Sequence, residues 1–322
     1  MSKEKKLIVG SRNSRMALAQ TNEFISVFLE ANHSFKAENI EIKPIATSGD
    51  INQKDRLDLI GGKGLFVKEI ERKLLNKEID VAVHSMKDVP TVMTPGLKIA
   101  SWLARGDERE VLIGDTNKTL MELEPGSIVG TSSIRRRSQV LSLRRDLYIK
   151  IIRGNVDTRI RKLDQGQYTA LILGFGGIKR LRLEDRVAQI FSTNEILPPA
   201  CQASIGVQTI NEDSELINLI ANTNHKNTSI IGLAERKVLE TLEANCNSPI
   251  GVFASIKNEE IITIKVELFN HDGNEKYTAA VSGIIENYVS LACDVGNKII
   301  DQVGLEYIKK LDNLKNDFNY SP

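Results

Sequence analysis

The chain has 322 residues, 41% of them apolar and 26% charged, which suits a soluble globular protein of two or three domains. A formal net charge of +1 excludes a general attraction to nucleic acid or to a membrane surface. Cys201, Cys246 and Cys293 and the four histidines follow no metal-ligand or CxxC spacing, and no presequence or long apolar run stands out, so we expect no metal and a cytoplasmic protein.

Residues 6–10 predict a first strand, and Ser14 caps a helix running to about residue 30, with Ala17, Phe24, Val27, Phe28 and Leu29 on its apolar face. Between them, Gly10-Ser11-Arg12-Asn13-Ser14 is a small polar turn carrying a cation at a helix N-terminus, where backbone N–H groups and the dipole favour anions. A second strand is expected over 40–47. Gly61-Gly62-Lys63-Gly64 then reads either as a mobile lid carrying Lys63 or as a plain linker; no Gly-Lys-Ser/Thr follows, so it is not a Walker loop. A helix over 66–75 follows, with Phe66, Val67, Ile70, Leu74 and Leu75 on one side.

Ile79, Val81 and Val83 predict the next strand, which ends in His84-Ser85-Met86-Lys87-Asp88-Val89-Pro90. Ligands of open α/β sheets bind beyond the carboxyl ends of strands, so His84, Ser85, Lys87 and Asp88 stand where chemistry would be placed. A lone KDxP is more commonly a solvated turn.

Strand–helix alternation restarts at 111–113 and continues with strands near 127–130, 148–152 and 169–173, as in a second α/β domain. Its connections are basic: Thr131-Ser132-Ser133-Ile134-Arg135-Arg136-Arg137 after one strand, Arg153 and Arg159 after the next, then Lys179-Arg180. Folding would gather these arginines at one sheet edge, where their planar forks suit carboxylates or phosphates. Scarce aromatics argue against base stacking. The reading is a pocket for a small molecule with several anionic groups.

Residues 205–210 read as a strand that returns to the first domain, making it discontinuous. Beyond a helical region to about residue 243, strands at 252–256, 261–269 and 277–284 and a helix over 288–303 predict a small α+β domain with an antiparallel sheet, with fraying after about residue 310. The domains expected are 1–103 with 203–221, then 104–202, then 222–322. Cys246, in a turn beside Pro249, is either a small buried apolar residue or a covalent attachment point.

Together these segments resemble the porphobilinogen deaminase (hydroxymethylbilane synthase) family over nearly the full length. The match rests on Gly61 to Glu69, Val83-His84-Ser85-Met86-Lys87-Asp88-Val89-Pro90, Gly126 to Ser133, Arg135-Arg136, Arg153-Gly154-Asn155-Val156, Lys162-Leu163-Asp164 and Cys246-x-x-Pro249-Ile250-Gly251. The resemblance implies two periplasmic-binding-protein-like (type II) α/β domains plus a small C-terminal α+β domain. It implies a monomeric transferase that condenses porphobilinogen head to tail with loss of ammonia and releases linear hydroxymethylbilane for tetrapyrrole (haem) biosynthesis. A dipyrromethane cofactor would be held by a thioether to Cys246, and Asp88 would stabilise the cation left when ammonia departs. Thr131, Ser132, Ser133, Arg135, Arg136, Ser85, Lys87 and Asp88 would bind the cofactor, and Arg12, Ser14, Lys63, Phe66, Arg153, Arg159 and Arg180 the carboxylated substrate.

The chain departs from the family in three places. Cys201-Gln202-Ala203 replaces a usual Gly-Gln-Gly, which predicts lost glycine angles or a different turn. Ala244 and Asn245 replace glycines before Cys246, and Arg15 stands where proline is frequent. Two rivals remain at this level. A non-catalytic two-lobed anion-binding protein would explain the arginines but gives Asp88 and Cys246 no joint purpose. An RNA-binding protein would show steep salt dependence.

Overall fold

The structure, a computed structural model, describes residues 6–45, 64–245 and 248–313. Its contacts divide the chain into two compact units, Met1–Gly106 with Ala203–Ser229, and Asp107–Gln202 with Ile230–Pro322.

In the first unit the β-branched run of β1 (Leu7–Arg12) pairs in parallel with β2 (Ile40–Ile45) on one side and β3 (Val81–Ser85) on the other. Helix α1 (Arg15–Ala31) follows β1, and α2 (Gly64–Leu75) precedes β3. Arg15 takes the first helical position, where proline's fixed φ is also well suited. Phe24 and Phe28 of α1 pack with Val9, Val81 and Val207, while Ile70 and Leu74 of α2 pack with Ile45, Ile79 and Ala82. Each fully buried side chain of this size contributes roughly 1.5–3 kcal/mol over an exposed one.

Strand β4 (Leu97–Trp102) does not pair directly with β3. The returning strand β10 (Ile205–Ile210) lies between them, antiparallel to both, giving the order β2-β1-β3-β10-β4. Helix α6 (Ser214–Ala221), capped by Asp213, adds Leu216 and Ile220 to the core.

The second unit repeats the plan. Strands β5 (Glu110–Ile113), β6 (Ile128–Gly130), β7 (Tyr148–Lys150), β8 (Ala170–Gly174) and β9 (Val187–Ile190) take the order β7-β6-β8-β5-β9. Here β5, the first strand after the crossing, is the antiparallel insert. Helices α3 (Ile134–Leu143), α4 (Val156–Asp164) and α5 (Phe175–Arg180) follow β6, β7 and β8. Strand β9 has no counterpart in the sequence expectations; it is a four-residue edge strand, half-exposed and weakly patterned.

The same unit holds an antiparallel meander of β11 (Ile250–Lys257), β12 (Ile261–Phe269) and β13 (Lys276–Ile284), with α8 (Tyr288–Val303) packed on it. Helix α7 (Lys226–Thr241) leads into it. The β12–β13 turn lies against α3: Gly273 has φ +68°, and a Cβ there would stand 2.2 Å from the Ser138 carbonyl oxygen. The Ser138 hydroxyl donates to the His271 carbonyl, and Arg137 pairs with Asp272 at 3.2 Å.

Two expectations are corrected. Fraying expected after about residue 310 is corrected over 311–313, which continue the helix α9 (Leu305–Asn313) because Ile308 and Leu311, three apart on one face, are buried at 0% and 4% exposure; residues 314–322 lie outside the described residues. At Cys201-Gln202-Ala203 the glycine-type conformation is retained, with φ +60° at Cys201 and +65° at Ala203. The L-residues sit in the left-handed region at the point where the chain passes from one unit back to the other.

Candidate active site

In the first unit β1 and β3 run parallel, so the turns after both fall at one edge of the sheet. That edge receives Arg12, Ser14, Ser85, Lys87 and Asp88. Ser14 is the N-cap of α1 and accepts from Ala17 N at 3.2 Å. Arg12 is half-buried.

The local turn explains how Asp88 is presented. After Ser85 the chain makes a 3-10 turn, Met86–Asp88. Met86 is 1% exposed and lies over Gly206 of β10, where an added Cβ would be 2.1 Å from its sulfur. The Met86 amide donates to the Ser204 carbonyl at 3.0 Å, and Val89 is buried on the far side. With Met86 and Val89 as anchors, Lys87 and Asp88 between them remain half-exposed.

A chain of polar side chains draws His84, expected at the strand end with the chemistry, into the core instead, with Thr94, Glu71 and Gln208, which the sequence reading left without a role. Thr94 donates to Glu71 at 2.7 Å, Gln208 Nε2 donates to the other Glu71 oxygen at 2.8 Å, and Gln208 Oε1 lies 2.8 Å from His84 Nε2. Since Gln208 spends its amide protons on Glu71, its oxygen accepts and His84 carries a proton on Nε2. Burial holds the His84 imidazole below its ordinary pKa, against the opposing pull of Gln208, Glu71 and Asp88. The ring is therefore neutral at pH 7.

In the second unit β6, β7 and β8 are parallel neighbours, which collects Thr131, Ser132, Ser133, Arg153 and Arg159 at one edge. Thr131 is buried and accepts from Ser133 N at 3.2 Å, and Ser133 caps α3. Arg159 donates to the Gly154 carbonyl at 2.8 Å and reaches the exposed Ser132 hydroxyl at 3.5 Å. Gly154 has φ +109° and its Cα faces Thr158, so the turn has no room for a side chain. Arg180 stands at the last position of α5, away from the start of that helix.

Arg135 and Arg136 point inward, at 4% and 7% exposure. Arg135 binds Glu110 at 2.5 Å and also the Leu197 carbonyl and Gln139, both at 2.7 Å; Arg136 binds the same carboxylate at 2.8 and 3.0 Å and the Ile172 carbonyl at 3.1 Å. Glu110 is fully buried at the start of β5. The sequence offered no signal for this partner, since it lies 25 residues away on a strand that reads as core. Burial pulls Arg135 down to about 10, with Arg136 adding repulsion, yet it stays charged at neutral pH. Two guanidinium groups thus share the Glu110 carboxylate in the first turn of α3, next to Thr131–Ser133 in sequence, with Glu267 a weaker counter-charge on Arg135 and a surplus of positive charge over Glu110. Such a surplus, with the helix dipole, attracts an anion to the turn in front of it.

Lys63 and Cys246 lie outside the described residues, and Phe66 belongs to the first turn of α2. Among the described residues, no group of three or more His, Cys, Asp or Glu side chains could hold a metal ion, and no helix is long and apolar enough to cross a membrane. The donor set of the second unit fits a ligand with several carboxylates, such as dipyrromethane: hydroxyls at a helix start, a surplus of positive charge over Glu110 in the turn that follows them, and two more arginines beside them.

Comparison with known proteins agrees over nearly the full length of the chain. The family model described as "Porphobilinogen deaminase, dipyromethane cofactor binding domain" matches residues 7–218, and the one described as "Porphobilinogen deaminase, C-terminal domain" matches 228–301. The porphobilinogen deaminase of Sulfurimonas denitrificans is 37% identical over 310 residues, covering 96% of this chain and 98% of the relative. That of Staphylococcus epidermidis is 39% identical over 309 residues, covering 96% and 99%. Among solved structures, the VFT2 domain of Bordetella pertussis BvgS aligns with a TM-score of 0.41 at 15% identity, covering 69% of this chain and 87% of that domain.

Proposed function

Because the chain belongs to the porphobilinogen deaminase family, we infer that it is a hydroxymethylbilane synthase. This transferase joins porphobilinogen units head to tail with loss of ammonia and releases linear hydroxymethylbilane by hydrolysis, a step of tetrapyrrole biosynthesis. One observation carries the reading: both family domains cover the chain in order, at 7–218 and 228–301. A purely anion-binding protein would have no use for that full match.

When bound, the dipyrromethane cofactor supplies the covalent pyrrole terminus to which substrate units are joined. We assign its attachment to Cys246 through a thioether. Thr131, Ser132 and Ser133 would donate hydrogen bonds to its carboxylates, Arg135 and Arg136 would add positive charge, and Ser85 and Lys87 are assigned to the same cofactor. Arg12, Ser14, Lys63, Phe66, Arg153, Arg159 and Arg180 would hold the acetate and propionate groups of substrate units.

Asp88 is assigned the chemical role. Breaking the aminomethyl C–N bond of a substrate unit leaves positive charge on its pyrrole, and a fixed carboxylate beside the ring N–H stabilises that charge. The same carboxylate takes up the proton lost when the new C–C bond forms and the ring regains aromaticity. The packing of Met86 over Gly206 supports this assignment, since it fixes the turn that carries Asp88. We further assign a monomeric, cytoplasmic protein with domains over 1–103 with 203–221, 104–202 and 222–322.

The test is the intact mass of the denatured protein before and after incubation with porphobilinogen, with peptide mapping and a parallel assay for ammonia and hydroxymethylbilane. Two linked pyrrole units on Cys246 and release of both products are expected. A Cys246 still bare after incubation, with no ammonia released, overturns the reading.

A further inference from the structure

The segment that carries Arg153, residues 151–155, begins after Lys150, the last β7 residue paired with β6, and ends where α4 starts. Backbone outside a ladder or a helix must satisfy its polar groups by other means. Here side chains do so. The Tyr168 hydroxyl donates to the Ile151 carbonyl at 2.7 Å, Lys162 Nζ to the Arg153 carbonyl at 3.2 Å, and Arg159 Nε to the Gly154 carbonyl at 2.8 Å. The turn is thus tied at Arg153 itself and on both sides of it.

Arg159 is already a candidate for substrate binding, but Tyr168 and Lys162 are not. Lys162 opens Lys162-Leu163-Asp164, a stretch of the family resemblance to which no role has been attached. Tyr168 precedes β8 and Ile151 follows β7, while β6 stands between those two strands, so the ring lies across β6. Gly130 of β6 leaves it room: an added Cβ there would stand 2.8 Å from Tyr168 Cδ1. The ring is 7% exposed, shares a core cluster with Ile152 and Leu171, and has Lys150 Nζ 5.5 Å from its centroid. Burial holds the phenol above its ordinary pKa, against the pull of Arg159, so the hydroxyl keeps its proton and donates.

We propose that Tyr168 and Lys162 are positioning residues for Arg153, holding the backbone of its turn so that the guanidinium is ordered before a substrate carboxylate arrives. The proposal rests on the assignment of Arg153 to the substrate. Neither residue is asked to touch porphobilinogen. Tyr168 acts through the Ile151 carbonyl and Lys162 through that of Arg153. An arginine on a fixed turn loses less conformational freedom on binding than one on a loose turn, and the difference appears as affinity.

The experiment compares Tyr168→Phe, Lys162→Met and Lys162→Arg with the wild type, each as the full-length, cofactor-loaded enzyme. Tyr168→Phe and Lys162→Met each remove one donor, and each should raise KM for porphobilinogen about three- to tenfold while kcat stays within about twofold. Lys162→Arg keeps a donor and should bring KM back to within about twofold of the wild type. Merely structural damage would instead lower kcat through the fraction of active enzyme and leave KM in place. A second readout needs no turnover: phenylglyoxal modification of Arg153, followed by peptide mapping, in an Asp88→Asn background that consumes little substrate. Porphobilinogen should protect Arg153, and half-protection should need about three- to tenfold more of it when either donor is removed. If Tyr168→Phe proves unfolded, Lys162→Met decides. Wild-type KM and wild-type protection in the folded variants overturn the proposal. An Arg153 that porphobilinogen leaves unprotected in the Asp88→Asn protein overturns it too; release of hydroxymethylbilane by the wild type would then keep the enzyme reading standing, and its absence would remove that reading as well.

Discussion

Ala203, with φ +65° and 8% exposure, is an L-residue held where glycine is at home. The left-handed conformation costs about 1–2 kcal/mol, against about 0.4–1 kcal/mol of unfolded-chain entropy that alanine saves over glycine. The strain is the larger, so Ala203→Gly should stabilise the protein by up to about 1 kcal/mol, read as a higher urea midpoint. Cys201 is a poorer test, because its buried sulfur also donates to the Gly232 carbonyl. Glu110→Gln should act in the opposite direction. It leaves Arg135 and Arg136 buried without a counterion, which costs roughly 3–5 kcal/mol in chemical denaturation. Asp88→Asn, at a half-exposed turn, should leave that denaturation curve in place while lowering turnover by about 10²-fold or more, measured as hydroxymethylbilane formed. Near-normal turnover by the folded variant would remove Asp88 from the chemistry. At this scale the half-exposed turn that carries Asp88 was legible from its motif, but the partner Glu110 was not. A carboxylate at the start of an apolar strand reads as a strand end until the fold brings two arginines to it.

The chain of Thr94, Glu71, Gln208 and His84 links α2, β10 and β3 through buried side chains. Its pH behaviour follows from His84, whose pKa lies below 6.5 in the folded protein because of burial. An unfolded histidine takes up a proton as pH falls through 6.5, while the folded one does not until lower pH. Protons then favour the unfolded chain, so stability should decline from pH 7 towards pH 5. His84→Gln, which keeps a donor towards Gln208 but cannot titrate in this window, should flatten part of that decline in denaturation series. Helices and strands with regular periodicity were the legible elements: β10, β12 and α8 stand where the pattern puts them. Helix α9 was missed because its polar surface outweighs two buried apolar residues.

Both five-stranded sheets share one strand order, and in each the antiparallel insert comes from a crossing segment. The alternation of strands and helices made two α/β lobes legible, and the return of 205–210 to the first of them was readable as a late strand. The insertion of β10 between β3 and β4, rather than at an edge, was not, because strand order depends on pairings that no local pattern encodes. The insertion predicts that a fragment of residues 1–202 cannot complete the first sheet. β3 and β4 would each lose their shared neighbour, and Gly206 would no longer seat Met86. Circular dichroism and urea titration of the fragment should show no cooperative transition attributable to residues 1–106. A sharp one would mean that β10 is dispensable.

The late position of β10 also sets a schedule for synthesis. Between Gly106 and Ala203 the ribosome makes the 96 residues Asp107–Gln202. At about 5–20 residues per second this takes about 5–20 s. Throughout that interval the facing edges of β3 and β4 await their partner, with unpaired N–H and C=O groups and the strand that leads to Asp88 exposed to stray pairing. The first lobe begun is therefore not the first that can close. The nascent chain is most vulnerable to aggregation while its middle is being made, and that is when a chaperone would have most to protect.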